Sequence, residues 1–272
     1  MRILFIGDIV GKSGRRVLKE TLQKIIDEDK IDFVIANVEN LSGGFGVTLN
    51  KFEEILSYGV DAATSGNHIW DNKEYEKVFE KYPDKIIRPL NYPSGVPGKG
   101  SSIFEINSNK IIVINIQGRT FMEPIDCPFK AIDDEIKKYN DIIIKIVDFH
   151  AEATSEKRAM LHFLSGRVSA LIGTHTHVQT ADEEILETGT SYITDAGMTG
   201  SFDSVIGMEK NAVISHFLTK LPFRFKVAND DLRFNSVVLE INEKDGKTLN
   251  IKRKNLNLKK EGVAYGQKAY WS

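Results

Sequence analysis

The chain has 272 residues and a formal charge of −2, because it contains 36 Lys and Arg residues against 38 Asp and Glu residues. Hydrophobic residues make up 41% and charged residues 27%, which is typical of a folded globular protein and excludes a disordered, collagen-like or coiled-coil chain. The balanced charge offers no net basic field, so we expect no non-specific binding to nucleic acid. A small anionic substrate would need local positive charge.

The cysteine count and the N-terminal apolar run indicate the compartment of the protein and whether it binds membranes. Cys127 is the only cysteine, which excludes an internal disulfide and a thiolate-rich zinc site. The apolar run at residues 3–6 ends before Asp8 and is too short for a signal peptide or a membrane span. We therefore expect a cytoplasmic protein that does not bind membranes. The oligomeric state is left open, with a homo-oligomer as one alternative.

Apolar runs of strand length alternate with helical patterns in chain order. In the first part of the chain, strands are predicted at residues 3–6, 33–38 and 61–64, and helices at 13–29, 49–58 and 72–82. Four of the seven prolines follow, at positions 83, 89, 93 and 97, and they predict a long ordered loop.

The second part of the chain adds hairpins to this alternation. Strands are predicted at residues 102–106, 111–116, 142–148 and 168–172, helices at 129–139, 155–164 and 211–219, and a final hairpin at 237–242 and 249–254. Continuous apolar runs are typical of strands covered on both faces, whereas hairpins pair antiparallel strands. The pattern therefore predicts an α/β fold with mixed sheets.

Metal-ligand types follow five of the predicted strands. They are Asp8, Glu39 and Asn40, Asn67 and His68, His150, and His175 and His177. In open α/β sheets the carboxyl ends of strands line the ligand crevice, so these side chains could converge. Residues two apart in an extended chain point the same way, which lets the two imidazoles of the His-Thr-His segment face one cavity.

Single members of this set have plainer explanations. A carboxylate at a strand end can cap the next helix, and a lone His150 can be a hydrogen-bonded core residue. Five strand ends that all carry ligand types are harder to explain by capping. Two carboxylates, two amides and several imidazoles without sulfur favour a pair of Mn, Fe or Zn ions. Such a pair can clamp both the attacking and the leaving oxygen of a phosphoryl displacement.

The motif order resembles the calcineurin-like metallophosphoesterases over residues 1 to about 255. Residues 7–12, 37–40 and 67–71 (GDIVGK, NVEN and NHIWD) resemble the YmdB-like bacterial branch, whose members are 2′,3′-cyclic-nucleotide phosphodiesterases. The resemblance implies a four-layer α/β/β/α sandwich with two mixed sheets, one domain over residues 1–257 and a tail of unknown role at 258–272. It also implies hydrolysis of 2′,3′-cyclic nucleotides such as 2′,3′-cAMP to 3′-nucleotides, with two divalent ions per chain, Fe or Mn before Zn.

The resemblance further implies a ligand set. Glu39 would bridge the two ions. The first ion would be held by Asp8, Asn40 and His177. The second ion would be held by Asn67, His150 and His175. A hydroxide made available by the metals would attack phosphorus, and His68 would protonate the leaving oxygen.

The chain departs from the wider superfamily at three positions. Val10 replaces a histidine, Glu39 replaces the bridging Asp, and Ile69 replaces an Asp that follows the motif histidine. The resemblance to the YmdB-like branch implies that Asn40 takes over ligation at the first metal. The third leaves open whether Asp71 orients His68.

Several alternatives stay open. Residues 7–13 resemble a P-loop but have one residue too few between the glycines. A regulatory module could keep the metal site and act through partners. Phe45 could stack on a base or belong to a plain turn, residues 197–207 could form a lid, and His216 is interpreted as a core-edge residue.

Overall fold

The computed structural model describes residues 1–258. The helices in this part are α1 (Gly11–Asp29), α2 (Leu49–Ser57), α3 (Tyr75–Lys81), α4 (Pro128–Lys138), α5 (Thr154–Leu164) and α6 (Lys210–Thr219). The strands are β1 (Arg2–Ile6), β2 (Asp8–Ile9), β3 (Phe33–Asn37), β4 (Ala62–Thr64), β5 (Ser101–Ile106), β6 (Asn109–Gln117), β7 (Ile144–His150), β8 (Ala170–Thr174), β9 (Glu184–Ile185), β10 (Ser191–Ile193), β11 (Met198–Ser201), β12 (Leu232–Ile241) and β13 (Thr248–Asn257). A short 3₁₀-helix (Asn67–Asp71) lies between β4 and α3.

The strands form two sheets, and both are mixed. The first sheet has the order β2-β11-β12-β1-β3-β4, with β13 also paired to β12. In it β1, β3 and β4 are parallel, whereas β12 runs antiparallel to β1. The second sheet has the order β5-β6-β7-β8-β10-β9, with parallel pairs from β6 to β10 and antiparallel strands at its edges.

Alternate residues of β1 show how the layers arise. Leu4 and Ile6 are buried against Leu22 of α1, in a cluster that also includes side chains of α2 and α3. Ile3 and Phe5 point the other way and join a second cluster with side chains of β7 and β8. Successive strand side chains alternate between faces, so this strand contributes to two cores.

A third cluster covers the outer face of the second sheet. Ile132 of α4 and Met160 of α5 pack there against Ile112 and Phe149. Three clusters between four layers give the α/β/β/α sandwich, which confirms the predicted fold. Burial of side chains of this size contributes about 1.5–3 kcal/mol each.

The predicted helices and long strands are confirmed, with bounds that differ by a few residues. Residues 82–100, the proline-rich loop, hold only isolated bridges that extend the edge of the first sheet. The short strands β9, β10 and β11 were not predicted, because their polar and glycine-containing sequences carry no apolar run. Strand β11 occupies the first half of the suggested lid and is fully buried between β2 and β12.

The single domain over residues 1–257 stays a prediction, and most of the predicted tail, residues 259–272, lies outside the described residues. Within the described residues, no helix is both long enough and apolar enough to cross a bilayer.

Candidate metal centre

Five strand ends from the two sheets meet at one edge of the sandwich. The residues that follow β1, β3 and β4 in the first sheet approach those at the ends of β7 and β8 in the second. His150 Nε2 lies 3.1 Å from Asn67 Oδ1 and 3.1 Å from His175 Nδ1. The seven predicted metal ligands are therefore brought together, although they are spread over 170 positions of the sequence.

Glu39 lies at the centre of this cluster. Its Oε2 is 3.3 Å from His150 Nε2, and its Oε1 accepts a hydrogen bond from Asn40 Nδ2 at 3.0 Å. Two groups of three donors share this carboxylate, namely Glu39 with His150 and His175, and Glu39 with Asp8 and His177, and either group could hold a cation. Oε2 thus faces His150, and Oε1 faces Asn40.

The two amide side chains complete these groups on opposite sides. Asn67 presents Oδ1 to His150, whereas Asn40 places Nδ2 3.1 Å from His177 Nε2. The oxygen and nitrogen of an amide exchange places by a half-turn about the Cβ–Cγ bond. Asn40 can therefore offer Oδ1 at the same position.

Each of the three histidines has a hydrogen-bond partner on the ring nitrogen that faces away from the donor cluster. Thr174 Oγ1 donates to Asp148 Oδ1 and therefore accepts from Nδ1–H of His150 at 2.9 Å. His175 Nε2 lies 3.1 Å from Glu152 Oε2, and His177 Nδ1–H donates to a carbonyl oxygen at 2.9 Å. Such partners fix the tautomer and the orientation of metal-ligating histidines. The sequence did not predict these roles of Thr174 and Glu152, because residues that hydrogen-bond to a metal ligand lie at no fixed spacing from it in the sequence.

Two observations show that the donor set fits a cation. Oδ1 of Asp8 is fully buried and has no hydrogen-bond partner among residues 1–258, although buried carboxylate oxygens normally have one. A Cβ atom on Gly66 would lie 2.2 Å from His150 Nε2 and 2.4 Å from Glu39 Oε2. Only glycine leaves the space in front of these donors free, which suits a site that receives a ligand.

The electrostatics of the cluster reflect burial and close packing of charges. Burial raises the pKa of Asp8. Burial disfavours the charged ring of His150, but the nearby carboxylates, Glu39 first and then Asp8 and Asp148, outweigh burial and raise the pKa of His150 to about 9. Burial and the neighbouring His150 lower the pKa of His175 to about 3. Strongly shifted groups at one sheet edge are typical of a functional site.

His68 lies beside the donors without belonging to either group. Its backbone N–H donates to Glu39 Oε2 at 2.9 Å, and its Nδ1 lies 2.8 Å from Asp71 Oδ2. Asp71 therefore orients His68, which answers the question left open by the sequence. The ring of Phe45 contacts His68 edge-on, with centroids 5.2 Å apart.

A cavity of about 550 Å³ opens over the donors. Glu39 and His177 are among the polar residues that line it, and most of its wall is apolar. The apolar wall contains Phe45, Val205, Ile206, Met208, Val213, Phe217 and Phe225. His216 also lines the cavity and donates from Nδ1–H to the carbonyl of Leu221, so its interpretation as a core-edge residue misses this location.

Most of the apolar wall was not predicted as part of the site. Helix α6 and the segment around it carry the missed residues, and Phe217 is 65% exposed although it is a large apolar side chain. Exposed apolar side chains next to a polar cluster mark a binding surface. The sequence shows their composition but not their proximity to the histidines.

The segment that resembles a P-loop does not form a phosphate cradle. The amides of Asp8, Val10 and Gly11 donate to the carbonyls of Gly197, Thr199 and Asn40, respectively. These amides are used inside the protein, whereas a P-loop directs its amides at phosphate. The nucleotide-binding alternative is therefore wrong for this segment.

The sequence and the fold of the chain are similar to those of known proteins. A family model described as "YmdB-like protein" matches residues 4–254. A 2′,3′-cyclic-nucleotide 2′-phosphodiesterase of Bacillus subtilis is 46% identical over 256 residues, or 93% of this chain and 96% of that protein. The crystal structure of a novel phosphatase from Mycoplasma pneumoniae has a TM-score of 0.90 at 35% identity and covers 94% of this chain and 93% of that one.

A more distant likeness concerns the fold alone. A 5′-nucleotidase precursor of Thermus thermophilus has a TM-score of 0.57 at 10% identity, over 95% of this chain and 54% of that one. The two-sheet sandwich described above is the metallophosphoesterase fold.

Proposed function

The chain belongs to the YmdB-like family, and from that premise we propose that it is a dinuclear-metal phosphodiesterase that hydrolyses 2′,3′-cyclic nucleotides to 3′-nucleotides. The observation that carries this proposal is the position of Glu39 between two donor groups that share its carboxylate. The B. subtilis relative, named a 2′,3′-cyclic-nucleotide 2′-phosphodiesterase, supports the substrate class.

We assign Asp8, Asn40 and His177 to one ion and Asn67, His150 and His175 to the other, with Glu39 between them. Fe or Mn suits this oxygen- and nitrogen-rich donor set, and Zn is also compatible with it. When bound, such ions polarise the phosphoryl oxygens and supply a water-derived nucleophile near neutral pH. Two divalent ions bring four positive charges against the two negative charges of Asp8 and Glu39, so the filled site would attract a phosphate.

His68 is our candidate for the general acid. Asp71 holds its Nδ1, and the amide of His68 is bound to Glu39, so the ring is fixed beside the donors with Nε2 available for proton transfer. Protonation of the 2′ oxygen as its bond to phosphorus breaks would leave the phosphate on the 3′ oxygen. A positioned general acid of this kind contributes about 10²–10⁴-fold in rate.

The cavity supports a nucleotide as substrate. Its volume of about 550 Å³ lies in the range of small-molecule sites, and its apolar wall adjoins the polar donors. A base stacked on Phe45 or Phe217 would place the sugar and the cyclic phosphate towards His68 and the metal ligands. Aromatic stacking contributes about 1–3 kcal/mol per base.

The test is turnover of 2′,3′-cAMP by protein loaded with Mn or Fe, next to a generic aryl phosphodiester and a Glu39→Gln control. We expect hydrolysis of the cyclic nucleotide to its 3′-phosphate, and loss of that activity in the control. Activity on the aryl ester alone would keep the metal centre and reject the substrate. Full metal occupancy without turnover of either ester would favour a regulatory module instead.

A further inference from the structure

The His175-Thr176-His177 segment has a backbone conformation that needs external support. The φ angles of His175 and His177 are 103° and 67°, in the left-handed region that non-glycine residues rarely adopt. Both residues carry donor atoms of the candidate metal centre. Contacts from outside the segment must therefore hold two ligands in place.

A buried ion pair between Lys157 of α5 and Asp195 makes such contacts. The ammonium of Lys157 donates to the carbonyl of Thr174 at 2.8 Å and to Asp195 Oδ2 at 3.0 Å. The same Oδ2 accepts the N–H of Thr176 at 3.0 Å. The pair thus binds the residue before His175 and the residue after it.

The other oxygen of Asp195 is linked through backbone hydrogen bonds to the donor group that contains Asp8 and His177. Oδ1 accepts the N–H of Gly197 at 2.8 Å, and the carbonyl of Gly197 accepts the N–H of Asp8 at 3.0 Å. The N–H of Met198 in turn donates to the carbonyl of His177 at 3.2 Å. One carboxylate is therefore linked to the backbone around donors of both groups.

The burial of this pair sets it apart from the neighbouring ion pair of α5. Lys157 and Asp195 are both 0% exposed, and transfer of two charges from water costs free energy that their attraction only partly returns. The neighbouring pair on the same helix, Arg158 with Glu184, is more than a third exposed, and within residues 1–258 it makes no hydrogen bond to the histidine segment. The remaining side-chain hydrogen bonds of the buried pair go to the backbone of Thr174, Thr176 and Gly197, so the pair is suited to fixing the backbone around the histidine ligands.

We propose that Lys157 and Asp195 are positioning residues of the metal centre, because their buried pair holds the His175-Thr176-His177 segment in the conformation that presents both imidazoles to the ions. This inference rests on the proposed dinuclear site. Neither residue contacts substrate or metal in this role; each acts through the backbone of the ligands.

The test compares three proteins with the wild type. The Lys157→Met/Asp195→Asn double variant removes both charges and leaves no uncompensated ion in the interior. Asp195→Asn alone keeps the side-chain shape but supplies one oxygen acceptor in place of two. The matched control is Arg158→Met/Glu184→Gln, which removes the exposed pair one residue further along α5.

The readouts are Mn²⁺ affinity by calorimetry on metal-free protein, the visible absorption spectrum of the Co²⁺-loaded protein and the melting temperature. We expect the double variant and Asp195→Asn to bind Mn²⁺ about 10–100-fold more weakly and to show a changed Co²⁺ spectrum at temperatures where both remain folded. The control should match the wild type in affinity and spectrum. If the pair only stabilised the fold, its removal would lower the melting temperature and leave the Co²⁺ spectrum unchanged.

Each outcome decides the question. If wild-type protein binds two ions and both Asp195 variants do so with the same affinity and spectrum, the positioning role is wrong. If Asp195→Asn does not fold, because it leaves the buried charge of Lys157 unpaired, the double variant decides alone. If the wild type itself binds no Mn²⁺ or Co²⁺, the proposed metal centre fails, and the positioning role fails with it.

Discussion

His68 Nδ1 lies 2.8 Å from Asp71 Oδ2, three residues further along the same 3₁₀-helix. We expect His68→Ala to lower turnover of 2′,3′-cAMP by about 10²–10⁴-fold, the usual contribution of a general acid. Its metal content should stay normal, because the His68 ring belongs to neither donor group. Steady-state kinetics together with metal analysis of the same sample would check this.

The matched variant for this prediction is Asp71→Asn. It keeps the histidine and removes only the carboxylate partner of its ring, so we expect a smaller loss of turnover with normal metal content. A His68→Ala protein that turns over as fast as the wild type would exclude the general-acid role.

Glu39→Gln should weaken both metal positions together. Oε2 of the carboxylate faces His150 and Oε1 faces Asn40, whereas an amide offers a single oxygen and no negative charge. Metal analysis after dialysis should find much less than two ions per chain, and turnover should fall in parallel. Normal metal content in this variant would contradict the bridging position.

Gly66→Ala tests the free space in front of the donors. The added methyl group would lie 2.2 Å from His150 Nε2, and the fully buried histidine has little room to move. We expect metal analysis to show loss of metal binding and thermal melting to show a lower melting temperature, because the methyl group would displace the buried ring of His150 and the carboxylate of Glu39.

A suitable control for this variant is Gly43→Ala. An added Cβ there meets no atom within 4 Å, although its φ of 70° carries some backbone strain. The control should bind metal normally, and equal metal loss in both variants would count against a local effect at Gly66.

Phe217→Ala tests the apolar wall of the cavity. We expect the KM for 2′,3′-cAMP to rise by about 5–150-fold, which corresponds to about 1–3 kcal/mol of stacking, with little change in kcat. A small cyclic phosphate without a base should be hydrolysed as by the wild type. Leu218→Ala is the matched control, because Leu218 is the next residue on α6, is 80% exposed and does not line the cavity.

Metal affinity should rise with pH. The nearby carboxylates, Glu39 first, raise the pKa of His150 in the metal-free protein to about 9, so the ring carries a proton at neutral pH and must release it to bind a cation. The pKa of His175 is lowered to about 3, so that ring is already neutral and releases none.

Calorimetry in buffers of different ionisation enthalpy would measure this coupling. We expect release of about one proton from His150 on metal binding between pH 7 and 8, and an affinity that rises by up to about tenfold per pH unit. An affinity that does not change between pH 6.5 and 8.5 would show that His150 is neutral before the metal binds.

The sequence by itself determined the alternation of elements and the types of donor. Apolar runs at residues 3–6, 33–38 and 142–148 predicted strands, because their length suits strands buried on both faces. The donors were predicted to meet because strand ends in this kind of fold line a crevice. The ordered motifs also indicated the family. These signals are local, or depend on residue order alone.

Only the tertiary structure decided which residues support the donors. Asp71 orients His68, Thr174 and Glu152 hold the histidine rings, and Asp195 reaches the ligand segment from a loop that follows a strand too short to predict. The cavity wall from α6 likewise meets the histidines only in the folded chain. Hydrogen bonds and packing between distant segments depend on the relative positions of two sheets, which no local spacing in the sequence encodes.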